Sequence, residues 1–167
     1  MLLPYPTAAT GLFPAHVAIV LYEVLSRSVK IQIKWPNDIV FEGRKLAGIL
    51  CETYSIEQNL FIAGIGVNVA QRDFPASLRE TATSLTQIAE KTYSAKSLWL
   101  KLTRALWHEF RRPRSAHEII LAYNPVAVRY HRRREYPGEV LEFQTLLTDG
   151  RAAFALGGER IVLDQAD

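Results

Sequence analysis

Apolar residues recur with helical spacing near the start of the chain. The pattern begins after Pro14 and fades near residues 26–28, so it predicts one amphipathic helix between these points. The apolar positions of this helix are Val17, Val20, Leu21, Val24 and Leu25.

Segments with the character of β-strands follow this helix. They cover residues 30–35, 39–41, 46–53 and 60–69, with a turn at Glu42-Gly43-Arg44 between the second and the third. Gly64 and Gly66 interrupt the last segment, and a missing side chain lets a ligand or another backbone approach closely. The pattern therefore predicts a hairpin followed by a bent strand.

The rest of the chain returns to helical spacing and then to short strands. Helices are predicted at residues 94–111 and 116–123, and Asn124-Pro125 breaks the chain after them. We assign one stripe of the helix at residues 94–111 to core packing. Its residues are Trp99, Leu102, Leu106 and Phe110. The pattern favours an α+β domain over residues 1–123 and a small all-β module over residues 124–167, which is too short to be very stable alone.

Composition narrows the class of protein. With 167 residues, 49% apolar and 22% charged, the chain can bury a core and is not expected to be disordered. No apolar run is long enough for a membrane span and no signal peptide is evident, so we expect a cytoplasmic protein without membrane contact. The single cysteine, Cys51, excludes an internal disulfide and is expected to be a small buried residue without a chemical role. Four scattered histidines do not have the spacing of metal ligands, so we expect no metal site built by protein side chains alone.

Arginines gather in two places although the net charge is only +3. They are Arg111, Arg112 and Arg114, and then Arg129, Arg132, Arg133 and Arg134. A nucleic-acid footprint is one interpretation. We favour a solvated connection between two modules, or a patch that meets an acidic protein, because no recognition helix or base-stacking motif accompanies these arginines.

Three polar clusters stand at the ends of the predicted strands. They are Lys34-Trp35-Pro36-Asn37-Asp38, Arg44-Lys45-Leu46-Ala47-Gly48-Ile49-Leu50 and Gly64-Ile65-Gly66-Val67-Asn68. In order and spacing they resemble the catalytic domain of biotin protein ligases, and the tail resembles the small SH3-like C-terminal domain of that family. The resemblance implies an α+β fold with a mixed sheet packed against helices, similar to class II synthetases.

The resemblance also implies a reaction in two steps. Biotin and ATP, with Mg²⁺, would form biotinyl-AMP, and the biotinyl group would then pass to a lysine on the biotin carboxyl carrier domain of a carboxylase. By the same resemblance, Lys45 and Asp38 would be catalytic, and Lys45 and Gly48 would bind biotin. Asn37, Asp38 and Asn68 would line the nucleotide side.

The physical chemistry agrees with a role for Lys45, because an ammonium group offsets the repulsion between a carboxylate and a phosphate. Gly48 and Trp35 would shape the walls of the pocket, although Trp35 could equally be a core residue. Pro36-Asn37-Asp38 also has the composition of an ordinary turn. The division of roles among Asn37, Asp38 and Asn68 stays open.

The chain departs from the family pattern at its start. Family members carry a Gly/Arg-rich loop upstream of the first helix, and this sequence shows none. We therefore expect about the first third of a catalytic domain to be missing and the rate to be lowered. We expect no winged-helix segment for DNA binding. A lipoate ligase-type acyl transferase and a non-catalytic module that only holds a carrier protein remain alternatives, and a homodimer is left open.

Overall fold

The computed structural model describes residues 1–5 and 7–164. Within these residues the strands are β1 (Leu2–Pro4), β2 (Gln32–Lys34), β3 (Asp38–Phe41), β4 (Arg44–Ser55), β5 (Leu60–Val67), β6 (Tyr130–His131), β7 (Leu141–Leu146), β8 (Ala152–Leu156) and β9 (Glu159–Leu163). The α-helices are α1 (Phe13–Leu25), α2 (Leu85–Ala89), α3 (Ala95–Glu109) and α4 (Ala116–Tyr123). Two short 3-10 helices cover Thr7–Leu12 and Asn124–Val126.

Local sequence explains where the helices begin. Pro14 occupies the first turn of α1, where a backbone N–H would have no partner in the helix. The other three helices each start after a serine whose side chain accepts a hydrogen bond from a backbone N–H three residues later. These serines are Ser84, Ser94 and Ser115. The sequence pattern found α1, α3 and α4 but missed the short α2.

The larger sheet has the strand order β1-β5-β4-β3-β2. The α+β class predicted from the sequence is confirmed, but the expected mixed sheet is corrected, because every described pairing of neighbouring strands is antiparallel. For β3 and β4 the reason is visible at the turn between them, where Glu42 and Gly43 both have positive φ, at 49° and 78°. A turn of two such residues joins antiparallel neighbours. The described parallel contacts are isolated bridges, at Lys45–Ala82 and Ile33–Ala127.

One face of the larger sheet carries the core. Helix α1 covers it, and the buried apolar residues of α1, β4 and β5, together with Ile39 of β3, belong to one apolar cluster. The opposite face is open and holds the pairs Lys34–Asp38, Asp38–Gly48 and Gly48–Gly66, which form one row across four strands. The fold thus presents a line of small and charged residues on a rigid surface.

The predicted packing stripe of α3 is partly wrong. Leu102, Leu106 and Phe110 are buried as expected, whereas Trp99 is 63% exposed. The stripe continues in steps of four residues to Leu98, which packs against the core. Trp99 lies about 100° further round the helix, so it points away from the core.

The C-terminal strands form a second antiparallel sheet in the order β6-β7-β8-β9. Its residues Leu141, Phe143 and Phe154 belong to the same apolar cluster as the core of the larger sheet. Trp35 is 2% exposed, its ring lies 5.7 Å from that of Phe154, and its Nε1–H donates to the Gly150 carbonyl at 3.3 Å. Trp35 is therefore a core residue that joins the two sheets. The boundary between residues 123 and 124 stays a prediction.

Across the part of the chain that the structure describes, no helix has the length and apolar character to span a membrane.

Candidate functional site

A concavity of about 680 Å³ lies on the open face of the larger sheet. Its floor includes Gly48 on β4 and Gly66 on β5, which are paired in register. A Cβ built on Gly66 would meet nothing within 4 Å, so the absence of this side chain creates space rather than close packing. We call this concavity the ligand cavity.

Lys45 and Asp38 form an ion pair at the edge of this floor. Lys45 Nζ lies 2.6 Å from Asp38 Oδ1, with side chains 51% and 23% exposed. A Cβ on Gly48 would lie 3.1 Å from Lys45 Nζ and 3.5 Å from Asp38 Oδ1. The three residues therefore meet at one point, and the Lys45 side chain lies directly over Gly48.

A β-bulge places Lys45 on the cavity side. Asp38 pairs with Gly48 and Ile39 with Ala47, but the next residue, Val40, pairs with Lys45 and skips Leu46. Leu46 and Ala47 are both buried although they are consecutive. In a regular strand, residues three apart point to opposite faces, so the extra residue turns Lys45 onto the face of Gly48.

The backbone of the bulge is held by hydrogen bonds from distant segments. Asn68 N–H donates to the Leu46 carbonyl at 2.9 Å, and Asn68 Nδ2 donates to the Lys45 carbonyl at 3.4 Å. Lys45 N–H donates to the Thr81 carbonyl at 2.7 Å, and its carbonyl accepts from Thr83 N–H at 2.9 Å. Hydrogen bonds therefore hold both the N–H group and the carbonyl group of Lys45.

Sequence reasoning missed the segment that closes one side of the cavity. Phe74, Leu78, Thr81 and Ala82 line the cavity, and none of them stood out in the sequence. The signal that could have found them is weak, since the segment has no helical or strand periodicity. Its position depends on the pairing of Ala82 with Lys45.

The residues predicted for the site fall into two groups. Lys45, Asp38, Gly48 and Asn68 all line the cavity. Asn37 is placed differently, because its Nδ2 donates to the Ile49 carbonyl at 2.8 Å and it is not part of the cavity lining. Its observed contact stabilises the β3–β4 hairpin, and its predicted nucleotide contact stays a prediction, as do the roles of the other four.

The donor set around the cavity limits what kind of metal could bind. Asp38 is the single carboxylate among the described residues that line it. No group of three or more His, Cys, Asp and Glu residues suited to a metal occurs in the described ranges. One carboxylate next to open space fits Mg²⁺ that arrives bound to phosphates, because Mg²⁺ keeps several waters and takes few protein ligands.

Cys51 lies on β4 beyond this site and is half-buried. Burial raises the pKa of its thiol to about 12, so it is protonated at neutral pH and is a poor nucleophile.

Comparisons with known proteins agree on one group of enzymes. A family model described as the Biotin/lipoate A/B protein ligase family matches residues 12–69. The chain is 44% identical over 79 residues to the bifunctional ligase/repressor BirA of Bacillus subtilis, covering 45% of this chain and 24% of BirA. It is 30% identical over 141 residues to the biotin–[acetyl-CoA-carboxylase] ligase of Mycobacterium tuberculosis, covering 81% of this chain and 51% of that protein. The aligned part is therefore about half the length of the second relative and about a quarter of the first.

Solved structures show the same fold. The apo biotin protein ligase of Aquifex aeolicus matches with a TM-score of 0.80 and 22% identity, over 96% of this chain and 76% of that chain. The same ligase in complex with biotin and ATP matches with a TM-score of 0.65 and 23% identity, over 90% and 70% of the two chains. At this identity the likeness establishes the architecture.

Proposed function

Because the chain belongs to the biotin protein ligase family, we propose that it activates biotin with ATP and transfers the biotinyl group to a lysine of a biotin carboxyl carrier domain. The observation that carries this proposal is the Lys45 ammonium group, which stands beside Asp38 at the edge of a glycine floor. The chain aligns with only part of each of these relatives. Activity, substrate and carrier are therefore proposed together.

The first step joins two anions. A carboxylate oxygen of biotin attacks the α-phosphorus of ATP, the bond to the bridging oxygen of the β-phosphate breaks, and pyrophosphate leaves with that electron pair. Two unit charges 4 Å apart repel by about 4 kcal/mol at an effective dielectric constant of about 20. Lys45, held by its ion pair and by the backbone of the bulge, offsets this repulsion without reorganising.

The second step transfers the acyl group. The amine of the carrier lysine attacks the acyl carbon of biotinyl-AMP, the bond to the phosphate oxygen breaks, AMP leaves with that electron pair, and the attacking nitrogen transfers a proton to solvent. Asp38, which lines the cavity beside Lys45, orients the incoming amine. Bound Mg²⁺ would neutralise phosphate charge in the first step, with Asp38 as its protein ligand.

The glycine floor leaves room for a ring system with an aliphatic tail. Gly48 and Gly66 leave the backbone of two neighbouring strands open to the cavity, and a fused ring with an aliphatic tail can lie against such a surface. The charged end of the acid would then point to Lys45.

A direct test is biotin-dependent exchange of labelled pyrophosphate into ATP. We expect exchange with the 167-residue chain and a loss of about 100-fold or more in Lys45→Ala, as for other single groups that stabilise transition-state charge. Lys96→Ala is the matched control, because Lys96 is an exposed lysine on α3. Equal rates in the two variants would contradict the role of Lys45.

A lipoate ligase is the second candidate, since the matching family model covers both biotin and lipoate ligases. The same exchange assay with lipoate in place of biotin distinguishes them, and a higher kcat/KM with lipoate would replace biotin in the proposal. Absence of exchange with either acid, together with retained binding of a carrier domain, would instead identify a non-catalytic carrier-binding module.

A further inference from the structure

A second, smaller concavity adjoins the ligand cavity on the side of the C-terminal sheet. It has a volume of about 250 Å³ and lies between the β2–β3 connection and the segment that follows β6. Lys34 and Asp38 line both concavities. We call the smaller one the basic pocket, because Arg132, Arg133 and Arg134 join Lys34 in its lining.

The charges of the basic pocket do not balance. Its four cationic side chains face two carboxylates, Asp38 and Glu135. Both carboxylates already have partners, since Asp38 Oδ1 lies 2.6 Å from Lys45 Nζ and Glu135 Oε2 lies 3.2 Å from Arg133 Nε. A concave surface backed by the low-dielectric protein interior focuses the electrostatic potential of this excess positive charge.

The wall behind these charges is rigid and apolar. The Arg133 guanidinium lies 5.3 Å from the centre of the Trp35 ring, and its side chain is 13% exposed. Trp35 in turn packs on Phe154 in the core. At least one cation is therefore fixed in place, which favours binding of an anion because little side-chain freedom is lost.

The buried His131 lies at the floor of the same pocket. Burial is the main cause that lowers the pKa of its imidazole to about 4; the hydrogen bond with the Val128 carbonyl opposes this decrease, and the charges of Lys34 and Arg133 contribute to it. The ring is therefore neutral at pH 7 and donates from Nε2 to the Val128 carbonyl at 2.9 Å. The cations act on one small region although they come from β2 and from the segment that follows β6.

We propose that the basic pocket binds the diphosphate end of a nucleoside triphosphate and holds inorganic pyrophosphate as it leaves. This inference rests on the proposed function. When the carboxylate attacks the α-phosphorus beside Lys45, the bond from that phosphorus to the bridging oxygen breaks and its electron pair stays with pyrophosphate. The growing charge falls toward Lys34, which borders both concavities, and guanidinium groups match phosphate oxygens in pairs.

From the sequence alone, this arginine cluster is interpreted as a mobile connection between two modules, a patch that meets an acidic protein, or a nucleic-acid footprint. The structure favours a small anion, because the arginines line a pocket that opens beside the candidate reaction site rather than a broad convex surface.

The test is a calorimetric titration of the 167-residue chain with sodium pyrophosphate. The variant is Arg132→Gln/Arg134→Gln, which leaves Arg133 in its contact with Trp35. The control is Arg112→Gln/Arg160→Gln, which removes the same charge from two exposed arginines that do not line the pocket. We expect pyrophosphate affinity to fall at least tenfold in the first variant and to stay within twofold of the unmodified chain in the control.

Titrations with ATP and AMP identify the part of the nucleotide that the pocket contacts. The affinity for ATP should fall in the Arg132→Gln/Arg134→Gln variant, and the affinity for AMP, which lacks the diphosphate, should not. Equal losses for AMP, equal losses in the control variant, or tighter binding of a single-stranded oligonucleotide than of pyrophosphate would overturn the proposal.

A biotin titration of the same proteins separates this inference from the proposed function. Biotin affinity should be unchanged in both double variants. A chain that binds biotin but not pyrophosphate contradicts the basic pocket alone. Pocket-dependent binding of pyrophosphate by a chain that binds neither biotin nor lipoate supports the diphosphate site and contradicts the proposed ligase activity.

Discussion

Lys45 shows how one irregular position in a strand decides which face of the sheet a side chain occupies. In a regular strand Lys45 and Gly48 would face opposite sides of the sheet, and the ammonium would point into the apolar core. The bulge at Leu46 prevents this and leaves Leu46 and Ala47 both buried. The motif could be found in the sequence, but the bulge that brings Lys45 to the cavity face could not, because it depends on which residues of β3 and β5 lie opposite.

Asn37 and Asn68 are a second case in which the sequence alone does not determine where a side chain lies. Both are amides next to a strand end, and sequence reasoning gave them one role. In the structure Asn37 Nδ2 donates to the Ile49 carbonyl inside the hairpin, whereas Asn68 lines the cavity. Side-chain type and sequence position cannot separate these cases, since the difference lies in which backbone carbonyl is within reach.

His131 should make the stability of the chain depend on pH. Burial lowers its folded-state pKa from 6.5 to about 4, so the unfolded chain binds the proton more tightly between these values. The stabilisation is present above pH 6.5 and is lost as the pH falls toward 4. From pH 7 to pH 5 the free energy of unfolding should fall by about 2 kcal/mol on account of this residue, at about 1.4 kcal/mol per pKa unit.

Urea unfolding at several pH values measures this effect. In His131→Gln, whose amide can still donate to the Val128 carbonyl, the decrease should be smaller by about that 2 kcal/mol. His117→Gln serves as the control, because His117 is exposed, and it should keep the full decrease. His16, whose pKa burial also lowers, contributes a remaining slope of the same sign. An identical pH dependence in His131→Gln and the unmodified chain would refute the prediction.

At the scale of elements, the central feature is the pair of neighbouring strands β4 and β5, which form the floor of the ligand cavity. Their predicted positions are close to the observed ones, because alternation and turn residues are local signals. The segment that ends in Thr81–Thr83 was missed, since it is ordered by long-range hydrogen bonds to Lys45. Trp99 was misassigned because steps of three and of four residues fit a helical stripe equally well from sequence alone.

Gly66 provides a way to fill the cavity without disturbing the sheet. In Gly66→Val the new side chain points into open space, and valine suits a strand, so the free energy of unfolding should stay within about 1 kcal/mol. The biotin affinity, measured by calorimetry, should fall by about tenfold or more, since the side chain occupies the floor and displaces the ligand.

Gly64→Val is the matched control for this variant. Gly64 lies two residues earlier on the same strand and face, with Leu50 atoms at 3.6 and 3.8 Å from a built Cβ, and it does not line the ligand cavity. It should keep its biotin affinity within about threefold. Similar losses in the two variants would show that the effect arises from the strand rather than from the cavity.

At the scale of the whole molecule, the two sheets share one core. The apolar cluster runs from α1 through Trp35 to Phe154 without interruption. Asn124 adds a polar link, because its side chain donates to Thr145 Oγ1 at 2.8 Å and accepts from Leu146 N–H at 3.0 Å. The expectation that the small C-terminal module leans on the larger domain agrees with these contacts, and the basic pocket also depends on them.

A substitution at Gly11 tests how tightly the C-terminal sheet is joined to the rest of the protein. A Cβ on Gly11 would fall 1.9 Å from the Asp149 carbonyl oxygen in the β7–β8 turn, so Gly11→Ala must push this turn away. We expect a loss of about 1–3 kcal/mol in the free energy of unfolding. The fluorescence of Trp35 should change as well, in a background where Trp99 and Trp107 are replaced by Phe, because its Nε1–H donates to Gly150 in the same turn.

Gly66→Ala is the control for steric effects of an added methyl group, since nothing lies within 4 Å of that position. It should leave both the unfolding free energy and the Trp35 signal unchanged. A Gly11→Ala chain as stable as the control would mean that the turn yields at no cost and that the two sheets are only loosely joined.

The bulge also makes the chain unequally tolerant of changes in length. Removing one residue from the Ile56–Gln58 turn would shorten an exposed connection. Removing Leu46 would restore a regular pleat, reverse the orientation of every residue before it on β4, and carry the ammonium group to the packed side of the sheet. A frame-preserving deletion at this single position should therefore abolish ligand binding more completely than any substitution of the lysine itself.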